Sequence, residues 1–423
     1  MVLIWIGLML LTSSAQAVMY YVVNGLDESL GWVNTANMQS DDRAVTLGNI
    51  PSDIAVYLDR IYVVNSGYNT LQVIDREQLQ TLDEIELTGA VNPYGCAVFN
   101  DHFVAVTGLL SGTVTIVDAM VGNVDTTFVT GVAPQAVGAR DEMLYVLNTG
   151  VAFPQFGNGV LKRYDTQDYS LVDSLVVGVN AQAMEFIEGE LHVLCTGNYD
   201  DIAGSVHVVE LATMRVDTIL QLGGSPGALS AWGYQVYVAA GGWAGDGFVY
   251  QYRSDTREVL RDVNSPILCG GGASDIVASP AGGFAVTCFQ DNTLQVCNAS
   301  GDQCQAYAMS SGPGALGALF WLSDAIEAPR AELPQSLQMI TAFPNPFNGT
   351  VTLQWERPLR AAAGLKFFDV LGREAGSLDV PPGAQTATWS PGERGGTEVS
   401  AGIYFGRWEL GQNSPIVKIV YLK

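Results

Sequence analysis

The chain has 423 residues, of which 48% are apolar, 47 are glycine and only 15% are charged. Disordered chains are poor in apolar residues, so this composition excludes one. Nineteen basic residues stand against 43 acidic ones, a net charge of -24, so nucleic acid and anionic lipid would be repelled and no nucleic-acid partner is expected.

Residues 2–11 (VLIWIGLMLL) form an apolar run about half the length of a ~20-residue membrane span. Ala15-Gln16-Ala17 follows, the small-x-small pattern that signal peptidase cuts. Residues 1–17 therefore read as a signal peptide, although no Lys or Arg precedes the apolar run. A buried N-terminal strand is the alternative. No later apolar stretch is long enough for a transmembrane helix in the mature chain.

From residue 18 the chain repeats itself. YYVVN (20–24) recurs as IYVVN (61–65), FVAVT (103–107), LYVLN (144–148), LHVLC (191–195), VYVAA (236–240) and FAVTC (284–288), at spacings of 41 to 48 residues. These β-branched and aromatic segments end at turn-rich stretches, so each is a predicted strand. A second strand follows each, such as NTLQVID (69–75) and GTVTIVD (112–118), and then an outer one such as LDEIELTG (82–89). A fourth begins at Pro or a small residue: PSDIAVYL (51–58), PYGCAVF (93–99), PQAVGAR (134–140), AQAMEFI (181–187), PGALSAW (226–232), ASDIVAS (273–279) and PGALGALFWL (313–322). Four strands in 40 to 50 residues is the arithmetic of a β-propeller blade. Residues 18–322 are thus expected to form a seven-bladed β-propeller of four-stranded blades. Its first blade would be closed by both termini, with 313–322 pairing beside 20–24 and burying two open edges. The repeats, IYVVNSGYNTLQVID (61–75) most clearly, resemble the YVTN family of β-propellers. That resemblance implies the fold. It leaves the function open, because such propellers serve as surface proteins, enzyme subunits and lactonase-like enzymes.

Residues 323–342 (SDAIEAPRAELPQSLQMITA) carry prolines without strand alternation and read as a linker. Short alternating strands then run through 343–423, which suits a small Ig-like β-sandwich. This all-β stretch carries Pro344-Asn345-Pro346-Phe347-Asn348, then FDVLGRE with Gly372, then AGIYF with Gly402 and Tyr404, and ends on Lys423. It resembles the C-terminal sorting domain of the bacterial type IX secretion system. The resemblance implies the type IX secretion machinery as a partner and an extracellular or outer-membrane surface location after signal-peptide cleavage. Residues 335–423 carry a net charge of +1 and the rest of the chain -25, so the acidity belongs to the propeller and its flanks.

Of six cysteines, Cys297 and Cys304 flank turn residues in one hairpin and should face each other. Cys269 is placed at the opening of an inner strand and Cys288 at the end of the next, so antiparallel pairing would join them too. An oxidising compartment permits both disulfides. Cys96 and Cys195 read as buried and unpaired. No closely spaced Cys or His set points to zinc.

No nucleophile elbow, H-E-x-x-H, P-loop or EF-hand sequence is present. His102 reads as exposed in a turn, and His192 and His207 as strand residues with structural roles. Three expanded loops from consecutive repeats should be neighbours on one face: TGVAFPQFGNG (149–159), TGNYDDIAGS (196–205) and GGWAGDG (241–247). They carry Phe153, Phe156, Tyr199 and Trp243 beside Asp200, Asp201 and Asp246. Aromatic faces with carboxylates suit an unknown glycan or protein ligand, and calcium is the cofactor the carboxylates would admit. Loop-length variation with local packing is the plainer alternative. Two functions remain in view: a secreted, non-enzymatic binding or scaffold module, and a lactonase-like hydrolase or lyase with a carboxylate-bound divalent cation. For the second, the inner strands offer Asp53 and Asp275 but no histidine.

Overall fold

The computed structural model describes residues 18–241, 245–320, 341–345, 347–355, 363–369, 374–381, 383–391, 401–408 and 416–422. The proposed signal peptide and nearly all of the linker lie outside them. The chain divides into two units, Met1–Ser323 and Asp324–Lys423. The described residues contain strands and no helix.

In the first unit seven antiparallel sheets of at least four strands follow one another along the chain. We number them 1 to 7. Sheet 1 is built from both ends of the unit: Pro313–Phe320 is its innermost strand and pairs with Val18–Asn24. Sheets 2 to 7 begin with the innermost strands Pro51–Tyr57, Pro93–Phe99, Pro134–Arg140, Ala181–Ile187, Pro226–Trp232 and Ala273–Ser279. Each innermost strand packs against that of the next sheet, and Pro313–Phe320 packs against both Ala273–Ser279 and Pro51–Tyr57. The sheets therefore run round a ring, the arrangement of a β-propeller.

Burial explains the sequence pattern. The second strands are covered on both faces, so Ile61, Val63 and Val64 are fully buried and the strand reads as an apolar run. The outer strand Gln80–Glu86 is exposed at every position but Ile85, and its composition is polar. Three second strands end on a buried Asn whose side-chain amide ties the hairpin together. Asn24 Nδ2 donates to Asp42 O (2.8 Å), Asn65 Nδ2 to Gln72 Oε1 (3.1 Å) and Asn148 Nδ2 to Val160 O (3.2 Å).

The innermost strands form the free edges of their sheets, and their unpaired backbone groups need other partners. Side chains from neighbouring sheets provide them. The Ser66 hydroxyl donates to Pro93 O, Thr107 Oγ1 to Gln135 O (3.1 Å), Thr196 Oγ1 to Pro226 O (2.8 Å) and Thr287 Oγ1 to Gly314 O (2.7 Å). The Cys297–Cys304 disulfide closes the outer hairpin of sheet 7, where the two residues are register partners.

The second unit has two antiparallel sheets, one of Thr341–Phe343, Val351–Gln354 and Thr386–Trp389, the other of Ala363–Asp369, Glu374–Val380, Gly402–Trp408 and Ile416–Tyr421. They share a core in which Phe367 stacks on Trp389 at 4.1 Å between centroids, with Phe347 and Tyr404 against the same Trp389.

Close approach between inner strands fixes one glycine. A Cβ on Gly95 would lie 2.2 Å from the Gln135 carbonyl oxygen of the next sheet. Gly95→Ala should cost about 1–3 kcal/mol by forcing two inner strands apart, read as a lower urea midpoint. An unchanged midpoint would show that the ring relaxes freely.

Candidate functional site

The innermost strands surround a channel of about 540 Å³ with contributions from all seven sheets. The second residue of each inner strand lines it, giving Ser52, Tyr94, Gln135, Gln182 and Ser274, with Gly227 and Gly314 in the other two sheets. The backbone shifts register just after the strand begins in every sheet, for example between Pro51 and Asp53 and between Ala273 and Ile276. Such bulges re-aim side chains, and here they accompany Asp53 and Asp275 in the channel wall.

Both carboxyls are already engaged. The Cys96 N–H of sheet 3 donates to Asp53 Oδ2 (2.7 Å). The Leu316 N–H of sheet 1 donates to Asp275 Oδ2 (2.8 Å), and the Ile276 N–H to Asp275 Oδ1 (2.8 Å). Each aspartate thus links its sheet to the next. Burial raises the Asp53 carboxyl to about 7 and the Asp275 carboxyl to about 6, against the lowering effect of the donated N–H bonds. Glu185, on the innermost strand of sheet 5, is raised to about 8 by burial and by the Asp275 charge. It has no hydrogen-bond partner among the described residues. Burial, with the charges of Asp53 and Asp275, holds the Tyr94 hydroxyl up at about 12. Among the described residues, no Lys, Arg or His lines the channel.

The three expanded loops meet only in part. Phe156 and Tyr199 make an edge-on contact at 5.4 Å, joining the loops of sheets 4 and 5, and Gln182 Nε2 donates to the Tyr199 hydroxyl (3.3 Å) at the channel rim. Phe153 stands in solvent, 87% exposed. Asp201 Oδ1 accepts from Asn198 Nδ2 (2.7 Å), and Asn198 Oδ1 accepts the Asp200 and Ile202 N–H groups, so that loop caps itself. The third loop turns the other way: Gly245 N–H donates to Gln290 Oε1 of sheet 7, beside exposed Asp246. Trp243 lies outside the described residues. Among the described residues no three His, Cys, Asp or Glu side chains are placed to share a metal ion.

The histidines serve packing. His192 is fully buried, with Nδ1 2.9 Å from the Tyr252 hydroxyl of sheet 6 and Nε2 3.3 Å from Glu190, and burial lowers it to about 4. His102 is half-buried, rather than free in its turn, because its ring packs on Phe103 at 4.5 Å. The expected Cys269–Cys288 bridge is not formed, and both are free thiols. Cys269 does not open an inner strand. It ends Ile267–Cys269, the second piece of a split outer strand that pairs with Gly247–Val249 of sheet 6. The two thiols still lie close enough across the sheet boundary for each to shift the other's titration.

In the second unit, two residues of the Pro-Asn-Pro-Phe-Asn motif pin the last strand. The Val420 N–H donates to Asn345 Oδ1 (2.8 Å). The Phe347 N–H donates to Val420 O (2.9 Å), and the Phe347 ring is 2% exposed. Gly402 and Tyr404 lie on the strand beside it, Tyr404 buried, and Pro344 and Asn348 flank the anchor. Pro346, Gly372 and Lys423 are outside the described residues.

The carboxyl shifts make stability depend on pH. Asp53, Asp275 and Glu185 protonate more easily in the fold than in the unfolded chain, so their contribution is complete below about pH 4 and fades as pH rises through 6 to 8. Surface carboxylates such as Asp27, Asp255 and Asp302 are lowered by hydrogen bonds, and their contribution is lost in acid. The melting midpoint should therefore fall from pH 5 to pH 8, and Asp53→Asn or Glu185→Gln should flatten that slope. Equal slopes in wild type and variants would contradict the assignment.

No family model and no curated relative matches the sequence. Similar solved structures include the Kuenenia stuttgartiensis hydrazine synthase, 15% identical over 69% of this chain and 92% of that one, with a TM-score of 0.51. Another is the dihydro-heme d1 dehydrogenase NirN, 13% identical over 87% of this chain and 74% of that one, with a TM-score of 0.50. At such identities the likeness is one of fold alone, and the fold the first unit shares is that of a β-propeller.

Proposed function

We propose that the chain is a secreted bacterial β-propeller of seven blades that works as a non-enzymatic binding or scaffold module, exported through its C-terminal domain. The observation that carries this reading is the use made of the channel carboxylates. Asp53 and Asp275, the carboxylates a metal-assisted lactonase-like hydrolase would draw on, each hold a backbone N–H group of a neighbouring sheet, and among the described residues no third carboxylate, His or Cys is placed to share a metal ion with them. A rigid ring with an open, polar channel and an aromatic rim at Phe156 and Tyr199 is suited to holding a glycan or protein ligand. The blade count rests on the seven sheets and on the pairing of Val18–Asn24 with Pro313–Phe320.

Export is the second part of the proposal. The order of the C-terminal motifs supports it, as does a fold in which Asn345 and Phe347 fasten the terminal strand. The Cys297–Cys304 disulfide and the absence of a helix long enough to cross a membrane among the described residues are compatible with it.

Deleting residues 343–423 should leave the propeller in the periplasm of a type IX-competent host, detected by fractionation. Phe347→Ala, which removes the buried ring from the shared core, should act like the deletion. Undiminished release of both variants would overturn the export assignment.

A further inference from the structure

The channel mouth combines three features that the scaffold reading leaves unused. First, the wall in front of the closing strand is acidic and roomy. Asp53 and Asp275 belong to the two sheets on either side of Pro313–Phe320, whose wall residues Gly314 and Ala315 are small. Each carboxylate has about four acceptor positions, so oxygen lone pairs remain after the backbone N–H bonds. Tyr94 and Phe289 add aromatic faces to the same wall. Second, the rim is apolar. Leu26, Ile50, Leu110, Val91, Val132 and Phe153 sit in the turns at this end of the ring, and each is more than half exposed. Exposed apolar side chains gathered at one end of the ring suit an interaction site. Third, none of the turns 25–28, 47–50, 66–69, 87–92, 109–112, 130–133, 149–157 and 196–204 carries Lys or Arg. Arg43 and Lys162 reach this end from elsewhere, and they are tied to Asp27 and to the Thr130 carbonyl. The hairpins at the opposite end, by contrast, carry arginines themselves, among them Arg60, Arg76, Arg140 and Arg253.

We propose that the channel mouth docks a protein segment that inserts one lysine or arginine side chain towards Asp53 and Asp275, while apolar neighbours of that residue cover the rim. The acidic channel without a basic side chain selects the cation. The apolar rim selects a macromolecule over a free small cation, because covering it excludes water from the ion pair, as the neutral surround of an interface hot spot does. Aromatic faces beside the carboxylates suit a guanidinium or ammonium group. This inference rests on the scaffold reading and names the partner chemistry of its channel.

Binding should depend on pH. The titratable groups of the channel wall are Asp53, Asp275 and Tyr94, with Cys96 against Asp53, Glu185 within the field of Asp275, and Tyr199 at the rim. Asp53 and Asp275 are protonated at pH 5 and largely ionised at pH 8, so affinity should rise across that range.

The test uses the full-length chain, fluorescently labelled, against bead-bound nine-residue peptides. Their central residue is arginine, lysine, citrulline or norleucine, and their flanks are randomised among apolar and small residues. Arginine or lysine beads should be retained at least tenfold over citrulline and norleucine at pH 8, and the preference should vanish at pH 5. Asp53→Asn and Asp275→Asn should lose the preference, and Ile50→Ser and Leu110→Ser on the exposed rim should weaken retention without altering the melting midpoint. Equal retention of citrulline or norleucine beads, or retention of none, overturns the proposal. The comparison within wild type stands even if the aspartate variants misfold. Failure here with intact export through residues 343–423 would leave the scaffold reading in place and remove only the cation docking.

Discussion

The first unit depends on how the inner edges of its sheets are satisfied. Each innermost strand is hydrogen-bonded on one side only, and strands from neighbouring sheets do not pair across the ring. Their free N–H and C=O groups need partners other than backbone. Ser66, Thr107, Thr196 and Thr287 supply hydroxyls, while Asp53 and Asp275 supply carboxylates, each from one sheet to the next. These bonds complement the apolar clusters between sheets, such as the one that joins Tyr62 and Val64 of sheet 2 to Val104 and Val106 of sheet 3. Apolar packing holds adjacent sheets together without direction. The side-chain bonds set the height and register of the inner strands of sheets 1, 3, 4 and 6.

That arrangement has a chemical consequence. A carboxylate placed to receive a backbone N–H at an inner edge also lies in the wall of the channel, where water is restricted. Burial therefore raises its pKa even as the hydrogen bonds lower it, and burial prevails at Asp53 and Asp275. Glu185 has no such bonds, and it is raised furthest of the three, to about 8. The channel thus holds two carboxyls, Asp53 and Asp275, that titrate near neutrality, with the Cys96 thiol against Asp53. Perturbed carboxyls often signal catalysis, but structural networks perturb them too, and here the network is visible.

Much of the ring is legible in the sequence, because position within a sheet dictates composition. Second strands are covered on both faces and read as apolar runs like Ile61–Asn65, while outer strands such as Gln80–Glu86 are polar. The Cys297–Cys304 pair is legible for the same local reason, since a hairpin fixes its register. Contacts between repeats are harder to read. Cys269 is misplaced because the outer strand of sheet 6 is split into Val259–Arg261 and Ile267–Cys269, which a strand pattern reads as the approach to the next inner strand. Gly245 of the third expanded loop bonds towards sheet 7, which the loop's place in its repeat does not reveal. Glu185 is one carboxylate in an apolar strand, and nothing local shows that it lies within the field of Asp275, ninety positions away. For the channel wall the available signal is positional: residues at and just after the second place of every innermost strand face one space, whereas Glu185 is fifth in its strand.

The account turns on the protonation of the channel aspartates. The most direct measurement is the titration of carboxyl 13C signals in the full-length chain labelled at aspartate, with Asp53→Asn and Asp275→Asn used for assignment. The account predicts that these two carboxyls titrate near 7 and 6, well above the surface aspartates. Titration of both near 4, in step with exposed carboxylates, would contradict it, and would make the channel an ordinary solvated opening.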